Sequence, residues 1–479
     1  MPQRLPPLVA ALALAAALFP ATGQPRWQGD ERCRLATDAV PATYAHCGTV
    51  AVALDPAAPD GPSIEVFVAR VPASSAEPRA DPLLLIAGGP GQSTVDFYLQ
   101  LRGAFEPARR DRDIVLVDQR GTGRSADGFR CAVPEDLSLD TAGAEQLERV
   151  IDACAAELEH DPRFYTTSVA VRDLERVRDA LGIEQWNVYG VSYGTRVAQH
   201  YLRRYPERVR ALVLDGVVPP PLALGPDVAR EAQRALEQIF ARCAADALCG
   251  ARFAALPQLF SEVLARLEAG ASDETDPPPI SALELRTLVR FMTYSAATVS
   301  LLPVLIGEAH AGNYEPLAGQ ARTLLRELPE SLSFPMSNSV TCTEDLPYVE
   351  AAATGGLDAT YLGTAIMDAL EMICARWPVG SIDDGFKTPV VSATPALLLS
   401  GEFDPITPPA YAERVLSGGL SNGVHLVGRG QGHGLAGIGC VPRILRSFLE
   451  DPVPGELDAS CLALEPPMPF FLTLLGPAP

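Results

Sequence analysis

The chain has 479 residues, of which 47% are hydrophobic and 20% charged, a composition that excludes a disordered chain and supports a large buried core. Acidic residues outnumber basic ones by 59 to 38, which gives a formal net charge of −21. A surface of that sign repels a phosphate backbone, so we expect no nucleic-acid partner.

The first 23 residues have the features of an export signal. Arg4 supplies an early positive charge, Leu8–Phe19 is a short apolar run, and Ala21–Gly23 offers small residues for cleavage. A membrane anchor is the alternative, but an apolar run of 12 residues is too short to span a bilayer. We therefore predict a secreted or periplasmic protein with no stable membrane insertion once the signal is removed.

Ten cysteines occur as neighbours at short separations. The neighbours are Cys33 and Cys47, Cys131 and Cys154, Cys243 and Cys249, Cys342 and Cys374, and Cys440 and Cys461. An even number of cysteines in an exported chain favours disulfides. Zinc binding is the alternative, but no C-x-x-C pair occurs and the histidines do not cluster near the cysteines, so we predict no metal site. Sequence order does not decide the connectivity, and nearest-neighbour pairing is the preferred prediction.

Short apolar segments alternate with helical patterns in the first half of the mature chain. Val50–Leu54 and Ser63–Val71 predict an opening antiparallel pair of strands. Four nearly continuous apolar strands follow, at Leu83–Ala87, Ile114–Asp118, Trp186–Val191 and Ala211–Asp215. Helical patterns cover Ala144–Leu158 and Ser168–Leu181. Buried strands that alternate with helices predict a doubly wound, mostly parallel α/β sheet.

The pattern becomes almost wholly helical from Pro219 to about Thr388. The clearest helical patterns are Val228–Ala244, Leu256–Ala269, Ala282–Tyr294 and Ala359–Trp377. Ser281 and Glu284 form a capping-box signature at the third of these. Strands return at Ala396–Ser400 and Val424–Val427. We therefore predict a helical insertion over residues 219–388 between two parts of one α/β core, residues 24–218 and 389–479.

The segment Gly190–Gly194 reads G-V-S-Y-G and matches the nucleophile-elbow pattern G-x-S-x-G. Gly419–Gly423 also matches, so the pattern alone does not select a serine. Ser192 follows a predicted strand and precedes a helical pattern, as an elbow requires, whereas Ser421 lies in a polar loop. We predict Ser192 as a nucleophile at the positive end of a helix, where a developing oxyanion is favoured.

A nucleophilic serine needs a base and an orienting carboxylate, and in α/β hydrolases the acid and then the histidine follow the serine along the chain. His433 lies in a glycine-rich loop after the last predicted strand, and Asp404 follows the strand before it. Open α/β sheets place their sites at the carboxyl ends of strands, so we predict Asp404 as the acid and His433 as the base. Asp215, which also ends a strand, and Glu402 are rival acids.

A G-G-P-G loop, Gly88–Gly91, follows the first buried strand. The backbone N–H of Gly89, together with that of Tyr193, can form an oxyanion hole, with Gly88 as a further candidate donor. Pro90 has no N–H and donates nothing. A plain turn is the alternative, but the position between a strand and a downstream elbow favours the oxyanion hole.

Several motifs occur together along the chain. They are Gly88–Gly91, Asp118–Ser125 (D-Q-R-G-T-G-R-S), Gly190–Thr195, Asp215–Val217, and Gly401 with Asp404-Pro405 and Thr407-Pro408. The combination resembles the prolyl aminopeptidase family of α/β-hydrolases. The Cys342–Asp345 element, Cys374-x-x-Trp377 and the late Cys440 and Cys461 are similar to its secreted, tripeptidyl-aminopeptidase-like branch. Ala87 stands where classical prolyl aminopeptidases have a His, which argues against strict proline specificity.

This resemblance runs from about Cys47 to Cys461 and implies Ser192, Asp404 and His433 as a catalytic triad. It also implies that the helical insertion is a cap that closes one end of the cleft. A capped cleft suits a peptidase whose substrate enters amino end first, with its ammonium held by carboxylates of the cap.

Glu344 and Asp345 are the candidates for binding that ammonium. They follow Cys342, whose expected bridge to Cys374 would hold this stretch beneath a cap helix. A solvated acidic turn or a helix N-cap is the alternative. Glu344 is preferred for its longer reach.

The function predicted from the sequence is an exported serine aminopeptidase. It would release residues or short peptides from the amino end of peptides through an acyl-enzyme, with no metal or organic cofactor. A carboxylesterase with the same triad is the alternative enzyme. A binding protein of hydrolase fold would require a broken triad, and the three residues are all present.

Overall fold

The computed structural model describes residues 27–37, 40–131, 144–270 and 278–477. The predicted export signal, residues 1–23, lies outside the described residues, and export stays a prediction. All ten cysteines lie within the described ranges.

A mixed sheet forms the centre of the described chain, and its strands run as follows: β1 Gln28–Thr37, β2 Val40–Ala53, β3 Ser63–Val71, β4 Leu83–Ile86, β5 Ile114–Val117, β6 Trp186–Val191, β7 Val209–Asp215, β8 Ala396–Gly401 and β9 Gly423–Gly428. Their spatial order is β1-β2-β3-β5-β4-β6-β7-β8-β9. The pairs among β1, β2, β3 and β5 along that edge are antiparallel, and every pair from β5 to β9 is parallel. The predicted mostly parallel α/β sheet is confirmed.

The sequence prediction was wrong at the amino-terminal edge of the sheet. It did not include β1, and it began the first strand at Val50, whereas β2 begins at Val40 and its His46 pairs with Arg70 of β3. Most described residues of β1 and of the first half of β2 are exposed or half-buried, and neither stretch carries a continuous apolar run. A half-exposed edge strand has a weak hydrophobic signal, because only one of its faces packs on other residues.

Helices cover both faces of the sheet. Those of the α/β core are α1 Thr94–Arg109, α2 Ala144–Glu157, α3 Thr167–Ala180, α4 Tyr193–Arg204, α13 Pro409–Gly418 and α14 Val441–Glu450. Successive residues of β6 point to opposite faces, so Val188 joins the buried cluster that contains Tyr201 of α4. Its neighbour Tyr189 joins the cluster that contains Phe105 of α1. The sheet is therefore buried on both sides, as its continuous apolar strands require.

The helices between β7 and β8 lie in what we call the helical segment, residues 219–388. They are α5 Pro226–Ala245, α6 Ala247–Arg252, α7 Leu256–Ala269, α8 Ala282–Met292, α9 Ala296–His310, α10 Glu315–Ser331, α11 Phe334–Val340 and α12 Ala365–Cys374. All of these helices except α11 contribute to one buried cluster, which includes Leu236, Leu288 and Leu302. The buried residues Met336 and Val340 of α11 join the cluster of the sheet instead. The predicted capping box at α8 is confirmed, since Ser281 and Glu284 exchange side-chain and backbone hydrogen bonds.

The chain leaves the sheet after β7 and returns to it at β8, which pairs in parallel with β7 (Leu214 opposite Leu398). Residues far apart in sequence therefore end at the same edge of the sheet. This adjacency brings the loops after β6, β7, β8 and β9 together.

The ten cysteines form five disulfides, and each joins the nearest neighbours in sequence: Cys33–Cys47, Cys131–Cys154, Cys243–Cys249, Cys342–Cys374 and Cys440–Cys461. These are the pairs that the preferred prediction named. Within the described ranges, no helix combines the length and the apolar character needed to cross a membrane.

Candidate active site

Ser192 occupies the turn between β6 and α4, and its backbone is strained. Its φ of 55° and ψ of −125° lie in a region that non-glycine residues rarely adopt. The turn is held on both sides: the Ser192 N–H donates to the carbonyl of Asp215 over 2.8 Å, and the Thr195 hydroxyl donates to the Ser192 carbonyl over 2.6 Å. The strained turn leaves the serine partly exposed at the carboxyl end of the sheet.

The two glycines that flank this turn allow strand and helix to approach closely. A Cβ atom on Gly190 would lie 2.3 Å from the carbonyl oxygen of Gly194, and one on Gly194 would lie 2.3 Å from that of Ile86. Any side chain at either position would therefore displace backbone. Ser421 has no such setting, since it lies in a loop directly before β9.

Asp404 and His433 meet at the ends of β8 and β9. The His433 Nδ1 lies 2.8 Å from Asp404 Oδ2, a geometry in which Nδ1–H donates to the carboxylate. Asp404 is wholly buried, and the loop that follows it supplies N–H donors to its other oxygen from Ile406 at 2.9 Å and Thr407 at 2.8 Å. The imidazole thus has one nitrogen engaged, and Nε2 is left for a second partner.

Thr407 has a position at this site that the sequence analysis did not assign. Its hydroxyl donates to Asp404 Oδ2 over 2.8 Å and lies 3.1 Å from His433 Nδ1. The signal in the sequence was the spacing D-P-I-T, because a Thr three residues after an Asp can close a local turn on the carboxylate.

The environment of His433 favours its charged form. Burial lowers the pKa of the imidazole, but the charge of Asp404 and the hydrogen bond to it outweigh burial, so the pKa lies above its ordinary 6.5. The His433 N–H donates to the carbonyl of Tyr294 over 2.8 Å, and the two rings meet edge to face with centroids 5.0 Å apart. The end of α8 therefore fixes both the backbone and the ring of this histidine.

Neither rival acid contacts the imidazole through a hydrogen bond. The buried carboxylate of Asp215 accepts from the Tyr189 hydroxyl at 2.8 Å and from the N–H groups of Leu435 and Ala436 at 2.8–2.9 Å. Glu402 accepts from the N–H of Gly430 at 2.7 Å. Both carboxylates hold the backbone of the loop around His433, and Asp404 is the one that reaches its side chain.

The glycine-rich loop after β4 lies against the elbow. A Cβ atom on Gly88 would lie 2.9 Å from the Cβ of Ser192, so this loop passes directly beside the serine. Gly89 follows with a φ of 105°, a backbone conformation that glycine adopts readily and other residues rarely adopt. Tyr193 is the first residue of α4, where a backbone N–H has no partner within the helix. The structure thus places the predicted donors of Gly89 and Tyr193 on the two segments that adjoin Ser192.

Glu344 and Asp345 lie in a π-helical turn, Thr341–Asp345, and both are wholly buried. Asp345 binds the guanidinium of Arg196 through both oxygens, at 2.8 and 3.2 Å, and Lys387 Nζ lies 3.7 Å away. The alternative of a solvated acidic turn is therefore excluded by the burial of both side chains.

The surroundings of Glu344 are less strongly charged. Its oxygens accept from the backbone N–H of Thr167 at 2.6 Å and from the Thr167 hydroxyl at 2.8 Å, and Arg196 is 3.5 Å away. The Thr167 hydroxyl also lies 2.7 Å from the hydroxyl of Tyr193, the residue after the elbow serine. Burial raises the pKa of Glu344 to about 7, and the opposing effect of Arg196 is smaller.

Among the described residues, no group of three or more His, Cys, Asp or Glu side chains is arranged to hold a metal ion.

Two segments of the chain match known protein families. Residues 81–246 match the family described as the alpha/beta hydrolase fold, and residues 359–461 match the family described as TAP-like protein. Serine protease Hip1 of Mycobacterium tuberculosis is 26% identical over 405 residues, and the alignment covers 76% of each chain. Carboxylesterase B of the same organism is 28% identical over 403 residues, again with 76% of each chain covered.

A tripeptidyl aminopeptidase of Streptomyces lividans is 30% identical over 191 residues, which are 36% of this chain and 35% of that protein. This chain thus spans about a third of that relative in the alignment. The sheet, the strand–turn–helix at Ser192 and the two family matches agree with the resemblance seen in the motifs. The chain has the α/β-hydrolase fold, and its residues 359–461 are similar to the TAP-like protein family.

Proposed function

We propose that this hydrolase is an exported serine aminopeptidase that releases residues or short peptides from the amino end of peptides. The observation that carries the proposal is the strained serine at the elbow together with the 2.8 Å contact between Asp404 and His433. A serine, a histidine and a buried carboxylate at the carboxyl ends of neighbouring strands form the constellation of nucleophilic acyl transfer.

In the proposed reaction the Ser192 hydroxyl oxygen attacks the carbonyl carbon of the scissile amide, and its proton passes to His433 Nε2. The backbone N–H groups of Gly89 and Tyr193 stabilise the oxyanion that forms. His433 then gives the proton to the leaving amine, the C–N bond breaks, and an acyl-enzyme remains. Water then attacks the carbonyl carbon of the acyl-enzyme while His433 takes its proton. The bond to Ser192 breaks, His433 returns the proton to the serine oxygen, and the acyl group leaves as a carboxylic acid. Asp404 holds the imidazole and stabilises its charged form throughout.

Recognition of a free amino end requires a carboxylate that can compensate an ammonium in a water-poor pocket. Of the two candidates, we retain Glu344. The charge of Asp345 is already compensated by Arg196 and Lys387, whereas the nearest donors to Glu344 are the neutral groups of Thr167. An ammonium at Glu344 would have to displace a donor from Thr167, which is linked through its hydroxyl to Tyr193.

The test of amino-end recognition compares a peptide that has a free amine with its N-acetyl analogue. Glu344→Gln should lose kcat/KM on the free amine and change little on the acetylated peptide. Glu350→Gln removes an exposed carboxylate six residues later and serves as the control for a general loss of negative charge. Equal losses on both peptides, or wild-type indifference to acetylation, would remove the aminopeptidase assignment.

The second candidate function is a carboxylesterase, because carboxylesterase B is a relative over 76% of this chain. The same serine and oxyanion donors can cleave an ester. An esterase would turn over simple esters and leave aminoacyl-, dipeptidyl- and tripeptidyl-arylamides intact, so a panel of these substrates separates the two functions.

The nucleophile itself is tested by substitution and by labelling. Ser192→Ala should abolish turnover of every substrate in that panel, while Ser421→Ala, in the loop that matches the same pattern, should leave turnover near wild type. A fluorophosphonate probe should label Ser192 alone, as mapped by mass spectrometry. Labelling of another residue would contradict the mechanism.

A further inference from the structure

Arg290 lies in the last turn of α8, and Tyr294 follows two residues after the helix ends. One guanidinium nitrogen donates to the Tyr294 hydroxyl over 3.3 Å. The guanidinium carbon lies 4.9 Å from the centre of the Phe291 ring and 5.9 Å from that of Tyr294. Arg290 is half-buried, so its charge has partial access to solvent and to anything bound beside α8.

The charge of Arg290 has no acidic counterpart in contact. Among the described residues, no carboxylate oxygen lies within 4.0 Å of its guanidinium, although acidic residues outnumber basic ones in the chain. Arg286, one turn earlier on α8, is ion-paired with Glu268. A half-buried guanidinium that keeps its charge without a carboxylate can bind an incoming one, and the guanidinium fork matches that group.

The position of Arg290 relative to the cleft follows from its neighbour. The Tyr294 ring packs on the ring of His433, and the Tyr294 carbonyl accepts the backbone N–H of His433. Arg290 therefore lies on the histidine side of the site. The glycine-rich loop Gly88–Gly91 contacts the start of α11 instead, since the Ser333 N–H donates to the carbonyl of Gly91 over 2.9 Å. Arg290 is also close enough to lower the pKa of His433, although Asp404 outweighs it.

The histidine side of a serine hydrolase receives the leaving group, because the same imidazole that took the serine proton gives it to the departing amine. A cation on that side of the site can therefore meet a negative charge in the part of the substrate on the carboxyl side of the scissile bond. A bound anion there would also offset the repulsion between Arg290 and the charged imidazole.

We propose that Arg290 binds a carboxylate in the leaving part of the substrate, so that the enzyme prefers short peptides whose free carboxyl end lies close to the scissile bond. This inference rests on the proposed peptidase function and adds the substrate class to it. A free α-carboxylate and an acidic side chain present the same chemistry, and a second peptide set distinguishes them. Arg290 acts here as a specificity-determining residue.

The experiment measures kcat/KM for matched peptides that end in a free carboxylate or in a carboxamide, with the cleaved bond located by mass spectrometry. We expect wild type to prefer the carboxylate by about tenfold, the scale of one charge-assisted pair at a half-buried site. Arg290→Gln should bring that ratio close to one, and Arg290→Lys should restore part of it. Arg286→Gln removes a paired charge one turn away and should keep the wild-type ratio.

A second set has peptide amides with Glu or Gln after the scissile bond. Preference for the free carboxyl end without preference for Glu assigns the α-carboxylate, and the reverse assigns the side chain. Equal rates for carboxylate and carboxamide, and for Glu and Gln, in an enzyme that cleaves these peptides would overturn the role of Arg290. If the wild type cleaves esters but none of the peptides or arylamides, the peptidase function fails first.

Discussion

Asp404 and Asp215 are buried carboxylates on loops that follow neighbouring parallel strands, and their hydrogen bonds give them different tasks. Asp404 contacts the imidazole of His433. Asp215 instead accepts hydrogen bonds from the backbone N–H groups of Leu435 and Ala436, which lie two and three residues after His433. Asp215 also accepts the Ser192 N–H through its own carbonyl. One residue thus connects the turn that carries the serine with the loop that carries the histidine.

The first prediction concerns pH. The proposed base works in its neutral form, so kcat/KM should rise with pH through the pKa of His433, which Asp404 raises above 6.5. Asp404→Asn removes the negative charge that favours the imidazolium. The midpoint of the acid limb should therefore fall, and the rate should drop by about 10⁴. A midpoint that stays in place after this change would contradict the assignment of Asp404.

The second prediction treats Asp215 as a positioning residue. Asp215→Asn places an amide N–H₂ where N–H groups now donate, and each buried donor left without a partner costs about 1–3 kcal/mol. We expect lower thermal stability and a lower kcat. The acid-limb midpoint should fall less than in Asp404→Asn, because Asp215 is the smaller influence on the pKa of His433. A larger fall than in Asp404→Asn would make Asp215 the acid.

At the scale of elements, α8 links the stability of the helical segment to the site. Its amino end is closed by the capping box of Ser281 and Glu284, with bonds of 2.9 and 3.0 Å. Past its carboxyl end, Tyr294 packs on His433, and Arg290 lies one turn before Tyr294. One helix end therefore orients the imidazole of His433 and presents the guanidinium of Arg290.

Ser281→Ala should destabilise the protein by about 1 kcal/mol, since the side chain of an N-cap satisfies a backbone donor that has no other partner. The midpoint of chemical unfolding measures this loss. Ser295→Ala at the start of α9 is the matched change, where the cap makes a single, longer bond of 3.2 Å to Ala297, and its effect should be smaller. An unfolding midpoint unchanged by Ser281→Ala would contradict the contribution of the box.

The whole molecule is cross-linked by five disulfides that close loops of 6 to 32 residues. The longest, Cys342–Cys374, ties the turn that carries Glu344 and Asp345 to the end of α12. Distributed in this way, the disulfides restrain the edge of the sheet, the helical segment and the carboxyl-terminal part.

Thiol titration of the unfolded, unreduced protein should find no free cysteine. A disulfide typically contributes about 2–4 kcal/mol, so reduction should lower the thermal unfolding temperature measurably. The control is the same reductant followed by reoxidation, which should restore the original unfolding temperature. Several free thiols in the untreated protein would contradict an oxidised, exported form.

The sequence by itself determined the parallel part of the sheet, the elbow at Ser192 and the preference for Asp404 and His433. Strands buried on both faces are continuous apolar runs, and the glycines of the elbow are required by close backbone contacts, so both leave local signals. The tertiary structure decided the edge strand β1, the role of Thr407, the burial of Glu344 and Asp345 against Arg196, and the position of Arg290 beside the histidine. Most of these features depend on contacts between residues from distant parts of the chain. A local sequence pattern does not indicate which charged side chains will form a pair in the folded protein.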